Sequence, residues 1–482
     1  MMKSRLIFFL LFVFSFKVFG ADSEFMKYLS QQMDEFKQFK EERDKEFTEF
    51  LKKQWKDYEM FKGLEPDTVP KPADIPVVKE EKPLIVKQVV PDKVIIKTVE
   101  PPVVVEKPVK IIPLQNLIQE KDKTLFFNFF NVNVELVFDE KTPMWQLKGL
   151  SNEDIALFWE NAAKSNFDKL VNSVKDAVKK LSLGDWGTVI FTKKATTQIY
   201  NGDSNRGNLL AWFVLSKLGF DARVGVEEGM VYLLLPSDKK IYGVTYFVLD
   251  GKNYYAIDTF ETRKYIKSIR TYDGKYPGSS ELIKINAERP LLPDSYHEKT
   301  VSFRYNGHEY RLNLSYDASL VEFYRLFPQT ELYVFTNPTI SDEALYKMKT
   351  QLAKIIEGKS EIEAANILLR FVQTAFKYKT DIDQFGYEKY FIPEETIYYP
   401  YSDCEDRAIL YSYLVKNMLN LDTVLLDYPG HVATAINLKG SVGGDFVDFE
   451  GKRYYVADPT YINANIGMTM PNVAKYKPKV IK

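Results

Sequence analysis

The nonapeptide EGKRYYVAD at residues 450–458 repeats the nonapeptide DGKNYYAID at residues 250–258, and five of the nine positions are identical. At the same offset of 200 residues, Gly202-Asp203-Ser204 aligns with Ser402-Asp403-Cys404, and an apolar stretch follows each tripeptide. A constant offset over about 55 residues indicates a duplication. Because solenoid units are only about 20–50 residues long, a repeat of this length predicts two domains of one fold.

The second copy has a pattern of helices followed by antiparallel strands. A helix is predicted over residues 341–357, and another begins at Ser360, where Glu363 completes a capping box. A third begins at Cys404, with Asp403 as its N-cap. Strands are predicted at residues 423–426, 432–438, 445–449 and 454–457. This order of elements favours an α+β fold.

Three segments precede the two repeats. Residues 1–20 begin with Lys3 and Arg5 and continue into an apolar run too short for the roughly 20 residues of a spanning helix. They predict a secretory signal peptide, and thus export to the periplasm or the cell exterior, with an uncleaved anchor as the alternative. No cysteine lies near the predicted cleavage point, which excludes a lipoprotein.

Residues 21–63 predict an amphipathic helix, because apolar residues recur every three or four positions from Phe25 to Phe61. This stripe serves either docking to an envelope surface or partner protein, or packing on the rest of the chain. Residues 64–113 hold ten of the 23 prolines and no glycine, which predicts a stiff extended linker. Pairing of its Val-Ile runs as edge strands is the alternative. The two repeats then occupy residues 114–290 and 291–482.

The composition excludes several classes of function. The chain of 482 residues has 65 Lys and Arg against 66 Asp and Glu, so it lacks the basic excess of a nucleic-acid-binding protein. It has a single cysteine, Cys404, which excludes an intramolecular disulfide and a zinc site made of several cysteines. We predict no cofactor and no metal site. Asp403 and Glu405 alone are too few for calcium, which needs six to eight oxygen ligands.

Cys404 belongs to a set of residues with the chemistry of a nucleophilic enzyme. It opens a predicted helix, whose N-terminus favours a thiolate and predicts a lowered thiol pKa. His431 follows the turn Tyr428-Pro429-Gly430 at the start of a strand, and Asp458 ends a later strand. A thiol, an imidazole and a carboxylate provide a nucleophile, a base and a group that orients the base.

These motifs resemble the transglutaminase-like superfamily, whose papain-related fold carries a Cys-His-Asp triad. The matching residues are DCED at 403–406, GHV at 430–432 and YYVADPT at 454–460, and PEET at 393–396 is similar to bacterial transglutaminase-like cysteine proteinases. The resemblance covers roughly residues 335–465. It implies that Cys404 is the nucleophile, His431 the general base and acid, and Asp458 the orienting carboxylate.

The first repeat departs from this pattern. Ser204 aligns with Cys404, Met230 aligns with His431 after a shift of one residue, and only Asp258 is retained. Because a serine without an imidazole has no base to activate it, we predict that the first repeat is not catalytic. It then serves as a scaffold, a substrate-binding surface or an interface.

The sequence therefore predicts an exported cysteine-dependent acyl-transfer enzyme that acts on amide bonds of a protein or peptide. If water accepts the acyl group, the protein is a peptidase or amidase; if an amine does, it is a transglutaminase. The backbone N–H of Cys404 is the predicted oxyanion donor, with Tyr398 or Tyr399 as candidates for a second. A non-enzymatic adaptor associated with the envelope is the alternative from a different class.

Overall fold

A computed structural model describes residues 23–66, 69–78, 93–94, 122–262, 265–337 and 339–482. Helices and strands are mixed along the chain, in agreement with the predicted α+β class. The predicted signal peptide at 1–20 and most of the predicted linker lie outside the described residues. Among the helices that the structure describes, none combines the length and the apolar character needed to cross a bilayer.

The first half of the chain contains a helical layer and a six-stranded sheet. Its helices are α1 (Ser23–Leu51), α2 (Asn152–Lys164), α3 (Asp168–Lys180), α4 (Gly184–Ile199), α5 (Ser204–Leu218) and α6 (Thr259–Thr262). Its strands are β1 (Trp55–Glu59), β2 (Asp122–Phe129), β3 (Val132–Asp139), β4 (Arg223–Glu227), β5 (Met230–Pro236), β6 (Tyr246–Leu249), β7 (Lys252–Ala256) and β8 (Ser268–Tyr272). The sheet has the order β1-β8-β4-β5-β7-β6, and β2 and β3 form a separate hairpin.

The second half contains comparable elements. Its helices are α7 (Ala318–Arg325), α8 (Asp342–Ile356), α9 (Glu361–Ala375), α10 (Asp381–Phe385), α11 (Pro393–Tyr398) and α12 (Cys404–Leu414). Its strands are β9 (Tyr296–Tyr305), β10 (His308–Asp317), β11 (Lys377–Tyr378), β12 (Tyr401–Ser402), β13 (Thr423–Tyr428), β14 (His431–Ile436), β15 (Phe446–Phe449), β16 (Lys452–Ala457) and β17 (Lys479–Ile481). The five-stranded sheet has the order β15-β16-β14-β13-β17.

The two sheets share one strand order. Reading β17-β13-β14-β16-β15 against β8-β4-β5-β7-β6 matches every strand of the second sheet to one of the first. The repeated nonapeptides form the last hairpin of each sheet. At its turn, Glu450 and Gly451 have φ of 49° and 75°, and Asp250 and Gly251 have φ of 50° and 73°. Two consecutive left-handed residues are what a two-residue hairpin turn requires, so the acidic residue and glycine recur in both copies.

Helix starts in the second half agree with the sequence. The Ser341 side chain accepts from the Ala344 N–H at the start of α8, and the Ser360 side chain accepts from the Glu363 N–H at the start of α9. Each side chain satisfies an N–H group that has no partner within its helix. The strands β13, β14, β15 and β16 overlap the four predicted strands.

The halves are joined by a shared hydrophobic core. Phe323, Tyr324 and Phe327 follow the β9–β10 hairpin in the chain, yet they pack into the core of the first half. The Trp186 indole N–H donates to the Leu326 carbonyl at 2.6 Å. Cys404 belongs to the same continuous cluster of buried residues, so the predicted boundary at residue 290 does not separate two independent cores.

The N-terminal helix is shorter than predicted. Helix α1 ends at Leu51, and residues 55–59, which the sequence analysis placed in the helix, form β1 at the edge of the first sheet. β1 pairs antiparallel with β8, and the Tyr58 ring lies 5.7 Å from that of Phe247. The predicted helix is wrong here because pairing with the sheet edge outweighs the helical spacing of the aromatic residues.

A short part of the predicted linker lies on the globular part of the chain. Residues 69–78, which we call the strap, contact the second half, and the Leu64 carbonyl before them accepts from the Gly243 N–H at 2.7 Å. At its far end, the strap's Val78 N–H donates to the Ile462 carbonyl at 2.9 Å. The strap is not a free spacer, because hydrogen bonds hold it against the second half.

Candidate active site

His431 and Asp458 form a buried pair. Nε2 of His431 lies 2.8 Å from Oδ2 of Asp458, and both side chains are about 1% exposed. His431 is the first residue of β14, and Asp458 follows the last residue of β16, which pairs with β14. The sheet therefore brings together two residues that are 27 positions apart in the sequence, as the sequence analysis predicted.

The Asp458 carboxylate is held on its other side by the backbone. Its Oδ1 accepts from the N–H groups of Thr460 and Tyr461, at 2.9 and 3.2 Å. Buried Gln373 of α9 donates to the carbonyl oxygens of Asp458 and Ala464, both at 3.0 Å. These bonds fix the carboxylate, so it can hold the Nε2–H group of the His431 imidazole in one orientation.

Cys404 is the first residue of α12, which packs against β14. Thr434 Oγ1 of that strand donates to the Ala408 carbonyl at 3.3 Å, one turn beyond Cys404. Within the described structure, Nδ1 of His431 is buried and has no hydrogen-bond partner. The thiol donates instead to Oε2 of Glu405, at 3.0 Å. The structure thus forms the His-Asp arm of the predicted triad, while the thiol bonds to a neighbouring carboxylate.

The prediction of a lowered pKa for Cys404 is wrong for this conformation. Burial raises the pKa of the thiol well above its usual range, and the carboxylates of Glu405 and Asp403 raise it further, while Lys71 opposes them. The thiol is completely buried. Desolvation and two adjacent acidic groups outweigh the stabilisation of a thiolate by the helix N-terminus.

Asp403 is the N-cap residue of α12, as predicted, and a second carboxylate also holds this helix start. Asp406 Oδ2 accepts from the Asp403 N–H at 3.1 Å, and its Oδ1 accepts from the Phe391 N–H at 2.9 Å. The Asp403 side chain turns instead toward Lys71. Buried Arg407 anchors the same turn by donating to the Phe376 carbonyl at 2.8 Å.

An acidic pocket lies beside Cys404. Asp381, Glu388, Asp403 and Glu405 have carboxylate oxygens within 4.8 Å of one another. The ammonium of Lys71 lies among them: it donates to Asp403 Oδ2 at 2.7 Å and also to Glu388 and Glu405. Carboxylates in this number are ligands that a hard divalent cation prefers, but a cation fits only if Lys71 withdraws. Only two of these four carboxylates, Asp403 and Glu405, were considered as metal ligands from the sequence.

The strap that carries Lys71 runs directly past the triad residues. A Cβ atom added to Gly430, next to His431, would meet Val69 Cγ1 at 2.9 Å and the Pro70 carbonyl oxygen at 3.0 Å. The Tyr378 hydroxyl donates to the Pro72 carbonyl at 2.9 Å. Burial raises the pKa of Tyr378, and the charge of Cys404 contributes to the shift.

A cleft of about 370 Å³ opens at this place between the halves of the chain. His431, Glu405 and Lys71 contribute to its wall, as do Tyr242 and Glu331. Polar atoms dominate the wall. Lys71 of the strap and His431 thus line the same cleft.

Two other predicted site elements have different surroundings. Tyr398 and Tyr399, the candidates for a second oxyanion donor, pack against Phe391 and each other, while Lys299 donates to their carbonyl oxygens.

The corresponding place in the first half lacks the triad chemistry. Met230 pairs with Glu227 across its hairpin as His431 pairs with Tyr428, which confirms the shifted alignment of the two strands. The retained carboxylate of Asp258 accepts from the Leu233 N–H at 2.8 Å, from Asn208 and from Lys193. Ser204 begins α5 and is exposed. Asp258 thus ties a helix to the sheet.

In comparisons with known proteins, no family model, curated protein or solved structure matches this chain. The likeness to the transglutaminase-like superfamily remains an expectation based on motifs. Lys71, Tyr378 and Glu388 were not predicted as site residues. The one available signal was the acidic run around Cys404, because carboxylates at a buried helix start need a cation nearby.

Proposed function

We propose that the chain is an exported cysteine-dependent acyl-transfer enzyme of the transglutaminase-like type, with a degenerate first copy. It acts as a peptidase or amidase on a protein or peptide. The observation that carries the proposal is the buried His431–Asp458 pair at 2.8 Å, on a strand packed against the helix that begins at Cys404. Export rests on the signal features of residues 1–20 alone.

The chemistry follows from the roles of the three side chains. The Cys404 thiol loses its proton to His431 Nδ1, and its sulfur attacks the carbonyl carbon of an amide, forming a C–S bond. His431 then gives the proton to the leaving nitrogen as the C–N bond breaks, which leaves a thioester. Water attacks the thioester, His431 takes its proton and returns it to the sulfur, and the carboxylic acid leaves. Asp458 keeps the proton of the imidazole on Nε2 throughout.

The common strand order of the two sheets supports a duplicated papain-like layout. In both sheets the hairpin strand that carries Met230 or His431 is central, and the carboxylate of Asp258 or Asp458 follows its neighbour. The first copy keeps the carboxylate, but Asp258 uses it to accept hydrogen bonds that tie a helix to the sheet. This contrast supports a catalytic role for the second copy alone.

Water is favoured over an amine as the acceptor. The amine of Lys71 lies in the acidic pocket beside Cys404, where it donates to three carboxylates. Burial opposes its charge, but Glu405 and Asp403 raise the pKa of Lys71 well above its usual range. An ammonium in this state is not a nucleophile.

The test compares the pH dependence of Cys404 alkylation by iodoacetamide in the wild type and in His431→Ala. Because Cys404 is the single cysteine, the reaction reports one site. We expect the wild type to react about tenfold or more faster near pH 6, where only an imidazole-assisted thiol yields thiolate. The strap restricts access in both proteins, so the ratio of rates isolates His431.

Equal rates in the two proteins between pH 5 and 8 would overturn the proposal and favour the adaptor alternative. Ser204→Ala is the matched control, since Ser204 is at the equivalent helix start of the first copy, and its alkylation profile should equal that of the wild type. Comparison of new protein N-termini in cells with wild-type chain and with Cys404→Ala would then identify substrates.

A further inference from the structure

The best-bound group in the acidic pocket is a lysine of the chain itself. The Lys71 side chain is 4% exposed although its backbone lies at the surface, and its ammonium donates to Glu388, Asp403 and Glu405. Asp403 is fully buried, and within the described structure its Oδ1 has no hydrogen-bond partner. The pocket therefore retains acceptor capacity beyond what Lys71 uses.

The energetics require a cation at this place. A buried ammonium is costly unless it is paired and hydrogen-bonded, and four neighbouring carboxylates repel one another unless a positive charge lies among them. Buried Arg407 is turned to the carbonyl groups of Gln373 and Phe376. Lys71 brings a positive charge into the pocket, and it arrives from a segment distant in sequence.

The backbone around Lys71 is held in the manner of a bound peptide. Val69 and Pro70 lie against Gly430, Tyr378 donates to the Pro72 carbonyl, and the strap pairs with Ile462 further along. The lysine is thus one side chain of an extended segment that passes the triad. Its aliphatic stem carries the ammonium inward, as a long side chain does in a specificity pocket.

We propose that Glu388, Asp403 and Glu405 form a lysine-binding subsite beside Cys404, and that the strap fills this subsite in place of an extended polypeptide substrate that carries a lysine. That the bound polypeptide is a substrate rests on the proposed function, whereas binding of a lysine side chain at the subsite does not. It predicts that the strap and a lysine-containing peptide compete for one place.

The binding test uses the full chain with Cys404→Ala and Lys71→Met, so that no turnover occurs and the subsite is open. The probes are a fluorescent peptide of residues 69–78, VPKPADIPVV, and the same peptide with norleucine in place of lysine. We expect the lysine peptide to bind at least about 30-fold more tightly, since loss of one partner of a buried charge pair is costly. The Cys404→Ala chain with Lys71 intact should bind the lysine peptide at least tenfold more weakly.

The matched control is Lys93→Met, which alters another lysine of the same proline-rich segment, paired with Ser360 instead of the pocket. It should behave as the chain with Lys71 intact. If Lys71→Met does not fold, Val78→Pro opens the strap instead, because it removes the N–H that donates to Ile462 and leaves the pocket unchanged. In that variant the lysine peptide should again bind more tightly than the norleucine peptide.

Equal affinity for the two peptides, or no binding of either to the opened chains, would overturn the inference. The alkylation test of the proposed function is separate from this result. If the chain prefers the lysine peptide but alkylation does not depend on His431, the lysine subsite stands and the proposed enzyme function is wrong. If alkylation depends on His431 but the chain does not prefer the lysine peptide, only the lysine subsite is wrong.

Discussion

At the scale of single residues, the tautomer of His431 depends on one carboxylate oxygen. Asp458→Asn keeps an oxygen for the N–H groups of Thr460 and Tyr461 but presents an amide N–H₂ to His431 Nε2. The imidazole must then carry its proton on Nδ1, where it cannot accept the thiol proton. We expect the alkylation rate of Cys404 to fall toward that of His431→Ala, and any turnover to fall by about 10²–10⁴-fold.

The measurement is the alkylation rate near pH 6 together with the thermal unfolding midpoint. The midpoint should change little, because the substitution preserves shape and two of the hydrogen bonds. An unchanged alkylation rate would show that Asp458 does not set the tautomer. Asp258→Asn in the first half is the matched control, and it should leave the alkylation rate unchanged.

The pairing of His431 with Asp458 could be predicted, and the position of Lys71 could not, for a physical reason. Cys404, His431 and Asp458 stand at the ends of regular elements, where periodicity and turn residues indicate the positions of side chains. Lys71 stands in a proline-rich segment with no periodicity, and only long-range contacts bring it to Glu405. The error about the pKa of Cys404 arose because the complete burial of the thiol depends on tertiary packing, which leaves no local pattern.

At the scale of elements, Glu394 joins three of them. Its carboxylate accepts from the N–H groups of Asp317 and Ser341 and from the Ser341 hydroxyl. Burial raises the pKa of Glu394 to about 7, although these donors oppose the shift. Since the pKa in the folded state exceeds the unfolded value, its stabilising contribution is complete below pH ~4.5 and is lost as pH rises through 7.

Glu394→Gln should therefore cost most at low pH. We expect a loss of about 1–3 kcal/mol in the free energy of unfolding at pH 5, because one buried donor is left without an acceptor. The difference from the wild type should shift in favour of the variant by up to about 3 kcal/mol at pH 8. Urea denaturation at both pH values measures it. Glu309→Gln, at an exposed position, is the control. If the difference in free energy of unfolding between Glu394→Gln and the wild type does not change with pH, or changes only as it does for Glu309→Gln, the raised pKa of Glu394 is contradicted.

The N-terminal helix behaves as two parts, which the apolar stripe in the sequence did not distinguish. Phe47 is 3% exposed, and its ring lies 4.8 Å from Trp159 and 5.3 Å from Tyr276, whereas Phe36 is 44% exposed. We expect Phe47→Ala to lower the free energy of unfolding by about 3–5 kcal/mol. Phe36→Ala should change it by no more than about 0.5 kcal/mol. Similar small effects in urea denaturation would show that the helix does not depend on this core.

At the scale of the whole molecule, the order of helices and strands in the second copy followed from the sequence, but the extent of each core did not. Pattern and caps determine α8, α9 and the strands of the sheet locally. The position of α7 is different, because Phe323 and Phe327 pack in the core of the first half although they lie in the second half of the chain. Packing against Trp186 and its neighbours determines where α7 lies, and no local sequence pattern predicts such a contact.

This shared core predicts that the halves unfold together. All five tryptophans precede residue 213, whereas the single thiol is Cys404, so fluorescence reports the first half and pulsed alkylation the second. Because Phe323 and Phe335 link Trp186 to Tyr390 through one continuous core, the two probes should give coincident midpoints in guanidinium chloride. Phe323→Ala should lower both midpoints by the same amount. Separate midpoints, or a shift of the fluorescence transition alone, would mean that each half is stable without the other and that the strap joins two independent folding units.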